Sequence, residues 1–207
     1  MNPISTIFRS ELDEQVLGYS PTELRLLFPH PVQAEQTDLS SAYPQKSSLE
    51  PASIHAIYVA VLIVQSELKN FMAIVEHHFL PEAQKQFDGV AVAQKKSAVG
   101  DARLCFQVTE EFGGYVVSLV TDSITILDAI DQSRFAPPPP WLAFEDYNPA
   151  WWGGAMQGAQ AYYNDHYFSP FFRCLDTEQK KAYCARFGAS TEWVKTLMLS
   201  YEDDDKE

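Results

Sequence analysis

The chain has 207 residues, enough for one domain with a substantial core and too few for two full ones, and its 46% hydrophobic and 21% charged content excludes global disorder. A formal net charge of -13 disfavours direct binding to nucleic-acid phosphates or to an anionic membrane surface, because both require neutralising lysine and arginine. Such a charge draws in a basic partner, or simply keeps the protein in solution.

Met1 to Ser20 contains Arg9 amid Glu11, Asp13 and Glu14 and has no apolar stretch of signal-peptide length, so no export is expected. Ser20-Pro21-Thr22-Glu23 reads as a helix start, with Ser20 as cap, Pro21 at the first helical position and Glu23 closing a capping box; the helix should reach about Phe28. Pro29, His30 and Pro31 stop it, and 29–50 reads as a long surface loop. From Ser66 to Phe79 the positions Leu68, Phe71, Met72, Val75 and Phe79 recur at helical spacing. The β-branched run Ile54 to Val64 suits a buried strand. No Gly or Pro separates it from that helix, however, and we read one long buried helix from about Pro51. At 11 residues the run is too short to span a bilayer.

Leu104, Phe106 and Val108 alternate with polar positions, Glu110 to Gly114 supplies a turn, and Tyr115 to Val120 forms a second β-rich run, a hairpin pattern. Ile124 to Leu127 extends it into a meander. Val108, Phe112, Tyr115, Val116 and Leu119 also fit a helical stripe, which keeps an all-α fold as the alternative. The prolines at 137–140 read as a stiff polyproline connector crossing the domain surface. Asp176 or Thr177 can start a helix ended by Gly188, Ser190 or Thr191 can cap a last one, and 202–207 should be a disordered acidic tail. The expected fold is α+β: a single domain with a long buried helix, a small antiparallel meander and C-terminal helices.

The residues that carry familiar chemistries lack the required spacing. Glu76-His77-His78 places neighbours about 100° apart on a helix, unlike the i, i+4 pairs that chelate, and the five histidines and three cysteines show no zinc pattern. Cys105, Cys174 and Cys184 likewise form no disulfide framework, which points to a reducing, cytoplasmic setting. There is no Gly-x-Ser-x-Gly elbow, and Gly153 to Gly158 lacks the Lys-Ser/Thr ending of a phosphate loop. No metal and no cofactor is expected.

What stands out is the segment from Pro137 to Phe172, with 11 aromatic residues and no lysine or arginine. Phe144, Phe168, Phe171 and Phe172 suit packing; Trp151 and Trp152 divide evenly between core and interface. Glu145, Asp146, Tyr147, Trp151, Trp152, Tyr163 and Asp165 form the candidate partner-binding set: rings as anchors, carboxylates to steer a basic protein. The same carboxylates on an aromatic platform allow an alternative reading as a small hydrolase or carbohydrate-active domain. Oligomerisation through this surface is a third.

The run Pro139-Pro140-Trp141-Leu142-Ala143-Phe144, then Asn148-Pro149, Gly154, Gln157-Gly158, Tyr162-Tyr163, Ser169-Pro170-Phe171, Tyr183 and Trp193, resembles small acidic bacterial immunity-type proteins encoded beside polymorphic toxins. It covers about the last third of the chain. The resemblance implies a cytoplasmic, non-enzymatic binder that occludes the active site of a toxin, here a basic one such as a nuclease. It transfers no functional residue.

Overall fold

A computed structural model describes residues 15–32 and 43–201. The expectations for 1–14, for 33–42 of the loop and for the tail 202–207 lie outside the described residues. The fold is α+β, with helices on both faces of a six-stranded antiparallel sheet. The strands are β1 (Lys46–Ser48), β2 (Ile57–Val64), β3 (Phe79–Phe87), β4 (Val90–Ser97), β5 (Arg103–Glu111) and β6 (Gly114–Thr121), in the order β1-β2-β6-β5-β4-β3.

The expected long helix from Pro51 is not formed. Ser53 adopts a left-handed conformation (φ 56) that closes a short 3-10 turn at Glu50–Ala52, and β2 begins four residues later. Ile57, Val59, Val61 and Ile63 face one core, while Leu62 faces the other. A strand buried on both sides reads as a continuous apolar run, so its period of two is hidden. The loop reading also yields: β1 pairs with the first half of β2. Just before β1 begins, the Tyr43 hydroxyl donates to the Leu62 carbonyl at 2.9 Å and accepts from the Leu62 N–H at 3.2 Å, serving the edge in place of a strand.

Two hairpins build the rest of the sheet. Asp88 and Gly89 (φ 50 and 82) turn β3 into β4, and Phe112 and Gly113 (φ 54 and 70) turn β5 into β6. Positive φ at both central positions is the geometry that matches strand twist. One face of the sheet carries α2 (Leu68–His78) and α3 (Ile124–Ser133), which bury Phe71, Val75, Ile126, Leu127 and Ile130 against the strands. The expected third strand at Ile124 to Leu127 is thus the start of α3, whose apolar side continues to Ile130, beyond the stretch that looked like a strand.

The opposite face has two covers. Near the start of β2, α1 (Pro21–Leu27) and its flanks place Tyr19, Leu24 and Phe28 over Val92, Cys105 and Val120. The capping box at Ser20 and Glu23 is present in both directions. The second cover lies over Leu62 and Val116 and consists of α4 (Pro140–Ala143), α5 (Gly158–Tyr163), α6 (Ser169–Arg173), α7 (Thr177–Arg186) and α8 (Thr191–Tyr201). Among the described residues no helix is long and apolar enough to cross a membrane.

Candidate functional site

The aromatic segment is built around the prolines, which are buried rather than laid across the surface. Gly114 lets them in: a Cβ there would fall 2.7 Å from Pro138 and 2.4 Å from the Ile63 carbonyl. A proline run has carbonyl acceptors but no N–H donors, so burying it requires donors from elsewhere. Tyrosines provide them. Tyr183 donates to the Pro137 carbonyl at 2.7 Å and Tyr163 to the Pro138 carbonyl. Burial pushes both phenols well above their ordinary range, and it is also the first cause of the raised values at Tyr43, Tyr167 and Tyr201.

Between α5 and α6, Asn164–Phe168 is a π-helical turn. An i to i+5 repeat brings residues five apart to the same side, which an α-helix would not. Tyr163 and Phe168 therefore stack, with centroids 5.9 Å apart and planes at 15°, and Phe172 continues the stack at 5.1 Å and 20°. Trp152 closes the cluster edge-on to Tyr147, Phe168 and Trp193 at 5.7, 5.9 and 5.8 Å.

This arrangement separates the seven candidate residues. Tyr163 is fully buried and Trp152 is 4% exposed, so both are corrected from interface anchors to core. Tyr147 is half-buried against Phe144 and Trp152. Trp151 points outward at 68% exposure. The split between the two tryptophans follows from a short 3-10 turn at Pro149–Trp151, capped by the Asn148 side chain accepting the Ala150 N–H at 2.9 Å. Glu145 and Asp146 form an exposed apex because Asp146 takes a left-handed conformation (φ 61), turning the chain while Phe144 and Tyr147 pack inward.

Asp165 is exposed on the π turn and lines a separate groove of about 450 Å³ with Gly153, Met156, Arg173, Ser200 and Tyr201. Its companion charge there is Arg173, and neither Glu145 nor Asp146 lines that groove.

Two surface groups were missed from sequence, Leu142 and the pair Glu110 and Glu111, and the Tyr162 ring of the aromatic segment joins them. Tyr162 is 49% exposed and stacks on Phe112 at 6.4 Å and 29°; Leu142 is 48% exposed. Glu110 and Glu111, exposed at the tip of the β5–β6 hairpin, complete this face. The tip is held close: a Cβ at Gly113 would lie 2.7 Å from the Leu142 carbonyl. Phe112 sits in the left-handed region, costly for a bulky residue, and its ring contacts Phe144, Tyr163 and Tyr167 at 5.9, 5.4 and 6.1 Å. A large aromatic at a turn position that favours Asn, Asp or Gly was the available signal.

Among the described residues no group of three or more His, Cys, Asp or Glu comes together to hold a metal. Cys105 and Cys184 are buried, Cys174 is exposed, and burial raises all three thiols, Cys105 to about 12. A raised thiol is a poor nucleophile near neutral pH. Comparison with protein-family models, curated proteins and solved structures finds no match.

Proposed function

We propose that the protein is a non-enzymatic binding module for a basic protein partner, in the manner of a cytoplasmic immunity protein that covers a toxin domain. The observation carrying this reading is the face at the hairpin tip and the 142–146 turn. There exposed Leu142 and Tyr162 stand with Glu110, Glu111, Glu145 and Asp146, in a stretch whose 137–172 portion has no lysine or arginine. Apolar anchors ringed by one sign of charge suit a partner of opposite sign: the carboxylates speed encounter and the rings slow release. Trp151 is a third exposed anchor.

The hydrolase alternative needs two carboxyls converging on one pocket. Glu145 and Asp146 at an exposed apex and Asp165 beside Arg173 favour the binder instead. The test is binding of the purified protein to the products of its neighbouring genes in low salt. A basic partner retained by the wild type and lost with Tyr162→Ala and Leu142→Ser supports the reading. Absence of any complex overturns it.

A further inference from the structure

Glu110, Glu111, Glu145 and Asp146 reach one face from two elements, the β5–β6 hairpin tip and the 142–146 turn, and all four are exposed. None of them takes part in an ion pair among the described residues. Elsewhere the carboxylates of Glu23, Glu67 and Glu82 are matched by Lys85, Arg186 and Arg103. The face has no such cation nearby in sequence: between residues 104 and 172 the single lysine or arginine is Arg134, which ends α3. Like charges gathered without a counter-charge repel one another, and a cation from outside relieves that cost.

The apolar groups beside these carboxylates decide which cation fits. Tyr162 leans on Phe112 at 6.4 Å and 29° and on His166 at 4.3 Å and 51°, yet 49% of it stays in solvent; Leu142 is 48% exposed. This packing sets the ring before a partner arrives, so a contact with it costs little ordering. An ammonium holds its water tightly and gains little from such a surface. A guanidinium is planar and weakly hydrated, so it lies against a ring or an aliphatic side chain while its N–H groups point outward to carboxylates. Acceptors for them are open: the Thr109 hydroxyl takes one oxygen of Glu111 at 3.1 Å, and the carboxylates of Glu110, Glu145 and Asp146 are unengaged among the described residues.

We propose that the group this face takes from its partner is arginine rather than lysine. The guanidinium lies on Tyr162 and Leu142 and donates to the carboxylates of the hairpin tip and the 142–146 turn. The inference rests on the protein-binding reading and narrows it to a partner whose contact surface presents arginine side chains.

The test is an NMR titration of the full chain in low salt with two capped hexapeptides of equal charge, glycine alternating with arginine in one and with lysine in the other. The arginine peptide should bind saturably, with shifts centred on Tyr162, Leu142 and the hairpin tip, and at least about tenfold more tightly than the lysine peptide. Tyr162→Ala should erase that preference, bringing the two peptides to within about twofold of each other. Where Tyr162→Ala does not fold, Tyr162→Leu decides, since it keeps apolar bulk on Phe112 without a ring face. Equal binding of both peptides at this face, or a preference that survives loss of the ring, overturns the inference and leaves the protein-binding reading standing. If neither peptide binds, or the shifts fall elsewhere, that reading fails and the inference with it.

Discussion

At the scale of single residues, the buried phenols tie the fold to pH. A phenol whose folded pKa is raised contributes stability that is fully present below its unfolded value, near 10, and is lost as pH rises beyond it. Tyr163, Tyr167 and Tyr183 behave this way, and so does Tyr19, pushed up to about 12 chiefly by burial. Spectrophotometric titration should therefore show a subset of tyrosines ionising only together with unfolding above pH 10. Removing the Tyr183 hydroxyl leaves the Pro137 carbonyl buried without a donor, so Tyr183→Phe should cost about 2 kcal/mol in denaturant unfolding. Glu23 works in the opposite sense. The Lys85 ammonium at 2.9 Å, then the Ser20 backbone N–H and hydroxyl, lower its carboxyl from 4.5 to about 2. Its contribution is present above pH 4.5 and fades as pH falls towards 2. Lys85→Met should raise the Glu23 midpoint in an NMR titration; an unchanged midpoint would show that the cap alone sets it.

At the scale of elements, local signals were legible and doubly buried ones were not. Ser20 and Glu23 marked α1, the spacing of Phe71 and Val75 marked α2, and Gly188 (φ 64) marked the end of α7, because caps and a single buried face leave a pattern in neighbouring residues. β2 left none, since its two faces meet separate clusters. The β3–β4 hairpin was missed although Asp88-Gly89 is a strong turn signal; β3 is exposed along most of its length and has no hydrophobic alternation to go with it. The prolines read as solvent-facing because no local rule shows that Tyr163 and Tyr183, far along the chain, supply their donors. Gly114 is where sheet and prolines meet. Gly114→Ala should cost about 3 kcal/mol by forcing β2 and Pro138 apart, lowering the Tm by roughly 6–12 °C. A smaller shift would mean that the proline layer moves freely.

At the scale of the whole molecule, the sheet has two unlike covers: an aliphatic one from α2 and α3, and an aromatic one that turns acidic where Glu145 and Asp146 meet Glu110 and Glu111 of the hairpin tip. The candidate site was half legible. Composition located the aromatic segment, and the outward Trp151, Glu145 and Asp146 lie within it. Trp152 and Tyr163 belong to the core because ring identity does not report direction; Tyr162 and Glu110 to Phe112 join the face only because the hairpin tip folds against Leu142. A protein of net charge -13 that binds through this face should lose affinity steeply with salt. Neutralising Glu110, Glu111, Glu145 and Asp146 to Gln or Asn should slow association by about tenfold with little change in dissociation, measured by surface plasmon resonance on the partner.

The most direct measurement is retention of partners from the native host in low salt, identified by mass spectrometry, with wild type beside the folded Tyr162→Ala/Leu142→Ser variant. The account predicts a basic protein held by the wild type, absent from the variant and eluted by salt. The same proteins retained by both, or none retained by the wild type, would contradict it.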